Sequence, residues 1–146
     1  MTSHFRKNVN TLADTIAANQ DQPIENVHRI MVEIRLAFEK LKVGTGTDND
    51  FDKVAAAVNV GMIRAEQIDP AAEETMLRGV QALASCDAIK AKHKRYGFTG
   101  PDLISMADAL DLYEQILQLS TPRKMMDAVA EMAKRIRKGH VMKAAA

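Results

Sequence analysis

The sequence predicts an all-α fold, a compact bundle of five or six helices whose neighbours run mostly antiparallel through short connections. Three observations carry this expectation. Apolar residues recur at steps of three and four along most of the chain. No segment alternates at period two for long enough to make a strand. Turn and cap residues (Gly, Pro, Asp, Thr) divide the helical stretches at short intervals, which favours antiparallel neighbours.

The first candidate helix covers residues 3 to 19, with Phe5, Val9, Leu12 and Ile16 at helical spacing. Its stripe is narrow and its asparagines compete with the backbone, so residues 1 to 20 are expected to form a loosely packed N-terminal helix. The second runs over 22 to 43. Pro23 suits a first helical position, and Ile24, Val27, Met31, Ile34, Phe38 and Leu41 follow at steps of 3, 4, 3, 4 and 3. Val32 and Leu36 stand four apart on the other side. A helix apolar on two flanks belongs at the centre of a bundle or at a subunit interface. Residues 22 to 43 are therefore expected to be the central helix, with Val32 and Leu36 as the oligomer-interface candidates.

The stretch KVGTGTDNDFDKV, residues 42 to 54, joins that helix to the next. Gly44 stands where a helix ends in a left-handed cap, and Thr47 to Asp50 has helix-start spacing. A phosphate-cradling loop needs a preceding strand and a Gly-Lys pair that are missing here, and three aspartates would repel the anion. A calcium loop fails at Lys53, where its turn glycine belongs, and at Asn59, where its bidentate Glu belongs. The stretch reads as a hinge with caps.

Residues 50 to 68 continue as a helix through Phe51, Val54, Val58 and Met62, weakened in the middle by Gly61. Asp69 and Pro70 open a long helix over 70 to 96, with Leu77, Val80, Ala84, Ala88 and Ala91 on one stripe and basic residues gathered at its negative end. Thr99, Pro101 and Asp102 start the next, over 101 to 119. Ser120, Thr121 and Pro122 punctuate the chain before the last, over 122 to 138, through Met125, Val129, Met132 and Ile136. Gly139 caps it, and 140 to 146 should fray.

Size and charge set bounds on function. A chain of 146 residues is expected to be one domain, 1–146, able to bury its own core. The net charge of +1 gives no global attraction to nucleic acid or anionic membrane. No apolar run reaches the roughly 20 residues a membrane helix needs, and the N-terminus lacks the apolar core of a secretory signal. The lone Cys86 makes no intrachain disulfide. A soluble cytoplasmic protein is expected. Six aromatic residues and nine Met leave the core to aliphatic and Met side chains.

Few residues are arranged as chemistry would need. Glu25 and His28 have the Glu-x-x-His spacing of di-iron bundles, but those need two such pairs and two further glutamates. Cys86 and His93 share a helix side about 10 Å apart along the axis, too far for one metal or a catalytic pair. Segment 101 to 119 holds four acids (Asp102, Asp108, Asp111, Glu114) and no Lys or Arg. Asp108 and Asp111 share a face, which suits a solvated surface or a basic partner. Acid–base catalysis would need an environment that splits their pKa values.

Basic residues cluster at 90 to 95 and at 123 to 143. The second region holds Arg123, Lys124, Lys134, Arg135, Arg137, Lys138 and Lys143 against Asp127 and Glu131, a local charge of +5. Arg123, Lys124, Lys134, Arg135 and Lys138 are the partner-binding candidates on this side, as Asp108 and Asp111 are on the acidic side. VAAAVNVGMIRAEQID could also be read as a helix-turn-helix breaking at Gly61, with Arg64, Glu66 and Gln67 outward. That second helix would be short and poor in positive charge.

The expectation is a non-enzymatic helical interaction or adaptor protein with a regulatory character. It would be a homo-oligomer, most simply a dimer, with a protein partner and no membrane. The alternative is a nucleic-acid-associated protein using the two basic patches. The pattern assigns no catalytic residue, no metal ligand and no cofactor.

Overall fold

Four threonine or aspartate caps and four prolines set the frame. The structure, a computed structural model, describes residues 23 to 139. The expected N-terminal helix over 3 to 19 and the tail from 140 lie outside the described residues. Five helices follow in order: α1 (Pro23–Lys42), α2 (Asp48–Glu66), α3 (Pro70–His93), α4 (Gly100–Leu119) and α5 (Pro122–Arg137). Among the described residues there is no strand. Thr47, Asp69, Thr99 and Thr121 each accept a backbone N–H from three residues on, and Asp50 returns the bond to Thr47 to complete a capping box. Gly44 takes a left-handed φ of +84° and ends α1 as expected.

Helix α3 stops earlier than the periodicity suggested. Lys94, not a glycine, takes the left-handed conformation at φ +63°, a backbone state that costs most residues about 1 kcal/mol or more. That turn swings Tyr96 back into the bundle, where it is 1% exposed and stacks on Phe51 at 5.1 Å with the rings 9° from parallel. Burying an aromatic ring is worth a few kcal/mol, enough to outweigh the strain.

The centre of the bundle is α2, not α1. It packs against all four other helices, whereas α1 lies chiefly on α2 and α4. Every residue from Asp50 to Ala65 is buried except Lys53 and Met62. The reason is side-chain size. Ala55, Ala56, Ala57, Gly61 and Ala65 let neighbouring backbones approach from several directions, so the helix is sealed on every side, its few buried polar groups (Asp52, Asn59, Arg64) included. Helix α1 seals only its Val27, Ile30, Met31, Ile34, Phe38, Leu41 side, while Val32 is 51% and Leu36 56% exposed.

Two helical glycines mark close approaches between helices. A Cβ on Gly61 would lie 1.9 Å from Met76 Cε and 3.2 Å from Tyr113 Cδ1. One on Gly79 would lie 2.6 Å from Ala109 Cβ and 3.4 Å from Val58 Cγ1. Gly61 is thus a packing position within one continuous helix. The helix-turn-helix reading falls for that reason, and also because Arg64 points inward. Arg64 is 7% exposed, and its guanidinium donates to Ser120 Oγ at 3.1 and 3.2 Å and to Gln67 Oε1.

Gly79→Ala should therefore destabilise the fold. Ala109 Cβ has no rotamer with which to retreat, so the overpacking cost of about 1–3 kcal/mol is expected to exceed the roughly 1 kcal/mol of added helix propensity. Adding Ala109→Gly should recover part of the loss of packing, as read by urea unfolding of the single and double variants.

Candidate functional site

Helix α5 turns one side to α2 and the other to water. Met125, Ala128, Val129, Met132 and Ile136 are buried, and Arg123, Lys124, Lys134, Arg137 and Lys138 are exposed. The basic residues do not behave alike. Arg135 forks onto the Glu66 carboxylate with two bonds of 2.9 Å and donates to Glu131 at 3.2 Å. These bonds hold its guanidinium above its already high ordinary pKa. Arg135 thus joins α5 to the end of α2, with its side chain 28% exposed. Arg123 lies 3.6 Å from Asp127, a loose exposed pair. Lys124, Lys134 and Lys138 project into solvent from the same helix.

On α4 the buried side carries Met106, Ala109, Leu110, Tyr113, Ile116 and Leu117. Its opposite side presents Ile104, Asp108, Asp111, Gln115 and Leu119 at steps of 4, 3, 4 and 4. Ile104 is 65% and Leu119 83% exposed, so apolar side chains stand at both ends of an acidic stretch. Arg35 of α1 reaches Asp111 at 2.9 Å and Glu114 at 3.4 Å, tying the two helices edge to edge. Asp108 and Asp111 do share a surface, and it is concave. Together with Asp69, Ala72, Thr75 and Leu112 they line an open groove of about 410 Å³ between α4 and the start of α3. Asp69 is already committed to the α3 N-cap, accepting from Ala72 N at 2.8 Å. The structure pairs neither Asp108 nor Asp111 with the cations of α5. Acidic and basic candidates form two separate surfaces.

A third charged cluster escaped the sequence reading. The three aspartates of the 42–54 stretch have three different roles. Asp50 closes the capping box, with Thr47 N donating to it at 2.9 Å. Asp48 accepts the Tyr96 hydroxyl at 2.5 Å. Asp52 is fully buried in α2. Burial, followed by the nearby Asp48 carboxylate, pushes Asp52 up to about 7. The same two causes raise Asp87 of α3, and the Tyr96 hydroxyl rises with burial and its bond to Asp48. The Lys90 ammonium sits 5.2 Å from the Tyr96 ring centroid and supplies a nearby positive charge. Sequence spacing alone could not bring residues 48, 52, 87 and 96 together. The alternation of Asp48, Asp50 and Asp52 was visible, but not which of them turned inward.

Cys86 is buried and its thiol is pushed up to about 11 by desolvation, so little thiolate forms at neutral pH. His93 is exposed on the same helix. Among the described residues no group of three or more His, Cys, Asp and Glu side chains is placed to hold a metal ion, and no helix is long and apolar enough to cross a membrane. No family model, curated protein or solved structure matches the chain.

The raised pKa of Asp52 sets a pH dependence. The folded chain holds the Asp52 proton up to about pH 7, while an unfolded aspartate releases it near 3.8. Between those values the folded state binds more protons, so its stability falls as pH rises, and above about 7 the full penalty is present. Asp52→Asn removes the charge and keeps the shape. It should approach the parent near pH 3, below the unfolded value of 3.8, and exceed it at pH 8 by a few kcal/mol in order of magnitude, as read by urea unfolding across that range.

Proposed function

We propose that this chain is a non-enzymatic interaction or adaptor protein that presents the outward side of α4 to a protein partner and associates with itself through the outward side of α1. The carrying observation is the arrangement on α4. Ile104 and Leu119 flank Asp108 and Asp111 beside an open groove whose wall includes Ala72 and Leu112. A helix or peptide with a few apolar residues and several basic ones suits this surface. Its apolar side chains would enter the groove or cover Ile104 and Leu119, and its cations would meet the acids. Anchors in pockets supply most of the affinity in such contacts, while surrounding charges favour the right partner and speed the encounter. An open groove also suits reversible docking better than chemistry that must exclude water.

The basic side of α5 supports a second reading, contact with nucleic-acid phosphates. Lys124, Lys134, Arg137 and Lys138 project from one helix, and such contacts position a protein without reading sequence.

Native affinity capture with the wild-type chain and with an Ile104→Lys, Asp108→Lys variant tests the first reading. A specific partner held by the wild type should bind the variant at least about tenfold more weakly, a loss of one or two good contacts. The reading fails if no specific partner is retained, or if the partner ignores the variant. Under the second reading the chain would bind duplex DNA at about 0.15 M salt, and changing Lys124, Lys134 and Lys138 to Ala would flatten the salt dependence by up to about three phosphate contacts.

A further inference from the structure

Helix α1 has two seams. Val27, Met31, Ile34, Phe38 and Leu41 form the inner one and are all buried. The outer one runs Arg29, Val32, Leu36, Glu39 and Val43, again at alternating steps of three and four, the spacing of a coiled-coil seam. All five are exposed, and Val32, Leu36 and Val43 are among the most exposed large apolar side chains of the described residues.

The order of residue types along the outer seam is the informative part. From Arg29 to Glu39 it reads positive, apolar, apolar, negative, and the apolar Val43 follows just past the helix end at Lys42. When a second copy of the helix is laid against it end for end, about a point level with residue 34, Val32 falls opposite Leu36 and Arg29 falls opposite Glu39. The two-fold axis repeats both contacts. The centre then holds four aliphatic side chains, and an ion pair closes each end. This is also the layer pattern of antiparallel coiled coils, in which each seam position meets the other kind of seam position on its partner. A parallel pairing would set Arg29 against Arg29 and Glu39 against Glu39. Like charges facing each other would oppose it.

We infer that α1 is a self-recognition element, and that a second copy of this chain docks on it antiparallel, with Val32 against Leu36 and Arg29 against Glu39. This rests on the self-association reading above and adds the direction and register. Glu39 already meets Lys42 at 3.0 Å, but that pair is exposed and only three residues apart, too weak to hold Glu39 from a partner. Arg35, on the flank of the seam, is directed toward Asp111 and Glu114 of α4. Arg35 is thus drawn away from the seam, whose centre is left to the exposed Val32 and Leu36. A helix of 20 residues is about 30 Å long, so the contact stands near the small end of specific interfaces and the dimer should form in a concentration-dependent way.

Disulfide trapping tests the register. Val32→Cys and Leu36→Cys are made separately in the full chain, where both positions are exposed, and circular dichroism checks that each variant keeps its helix content. The wild type, whose Cys86 is buried, gives the background. Under copper–phenanthroline, a mixture of the two variants should cross-link at least about fivefold faster than either alone, because identical positions are offset by about 6 Å along the axis while 32 and 36 face each other. A second readout is charge. Arg29→Glu and Glu39→Arg should each weaken self-association about threefold to tenfold in sedimentation equilibrium, and mixing them should restore it.

The outcomes separate the two claims. Homotypic cross-linking that outruns the mixture overturns the register but leaves self-association standing. A dimer indifferent to all four substitutions overturns α1 as the docking face, here and in the reading above, and leaves only self-association through another face. A monomer at every concentration up to about 1 mM, where even weak contacts form, overturns both.

Discussion

The closeness with which α2 can be approached is the constraint on which the rest depends. A helix in contact with four others must offer four surfaces, and bulky side chains on all of them would hold the neighbours apart. The chain meets this with Ala55, Ala56, Ala57, Gly61 and Ala65 along one helix, and with Gly79 and Ala109 where α3 and α4 come nearest. Met76 then fills what space remains beside Gly61, as a flexible side chain suits an irregular gap. The short connections follow from this geometry. When helices are this close, two to six residues are enough to pass from one end to the next.

Close packing leaves few places for polar groups, and three arginines take on much of the joining. Arg64 holds the end of α2 to Ser120, in the turn between α4 and α5. Arg135 holds α5 to Glu66, and Arg35 holds α1 to α4. The planar fork of arginine suits such work, because it makes several bonds from one preorganised group. The Asp48, Asp52, Asp87 and Tyr96 cluster is the counterexample. There the chain places carboxylates close together and partly out of water, and two of them bind protons more tightly as a result. The structure shows no gain from this apart from the Tyr96 hydroxyl bond.

What was legible in the sequence was mostly local. Gly44, Thr47, Asp69 and Thr99 announce helix ends through their own backbone chemistry, and each stands at the end it announces. The two faces of α1 were legible from spacing. The identity of the central helix was not, because periodicity rewards large residues and α2 is central by virtue of small ones. The run of apolar residues from Val54 to Val58 was the available sign. Arg135 looked like its neighbours Lys134 and Lys138, since nothing in local sequence points to Glu66, sixty-nine positions away. Asp108 and Asp111 were found as a pair on one face, but the groove they line needs Asp69 and Thr75 from another helix. Pairings between distant elements depend on the fold, and spacing within one element cannot report them.

The same distinction bears on what the surface can do. A helix buried on one side is free to carry a second message on the other, since 3.6 residues per turn keep the two sets of positions apart. Helix α1 uses Val27 through Leu41 to join the bundle and leaves Val32 and Leu36 outside. Helix α4 seals Met106 through Leu117 and leaves Ile104 and Leu119 outside, with two acids between them. Helix α5 does the same with cations. Exposed apolar side chains cost solubility and contribute less to the isolated fold than buried ones. Folding therefore does not explain why they recur at helical spacing on α1 and on α4, next to charges. Under the reading proposed above, contact with other chains would supply the reason, with the bundle as the scaffold that holds those helices in place.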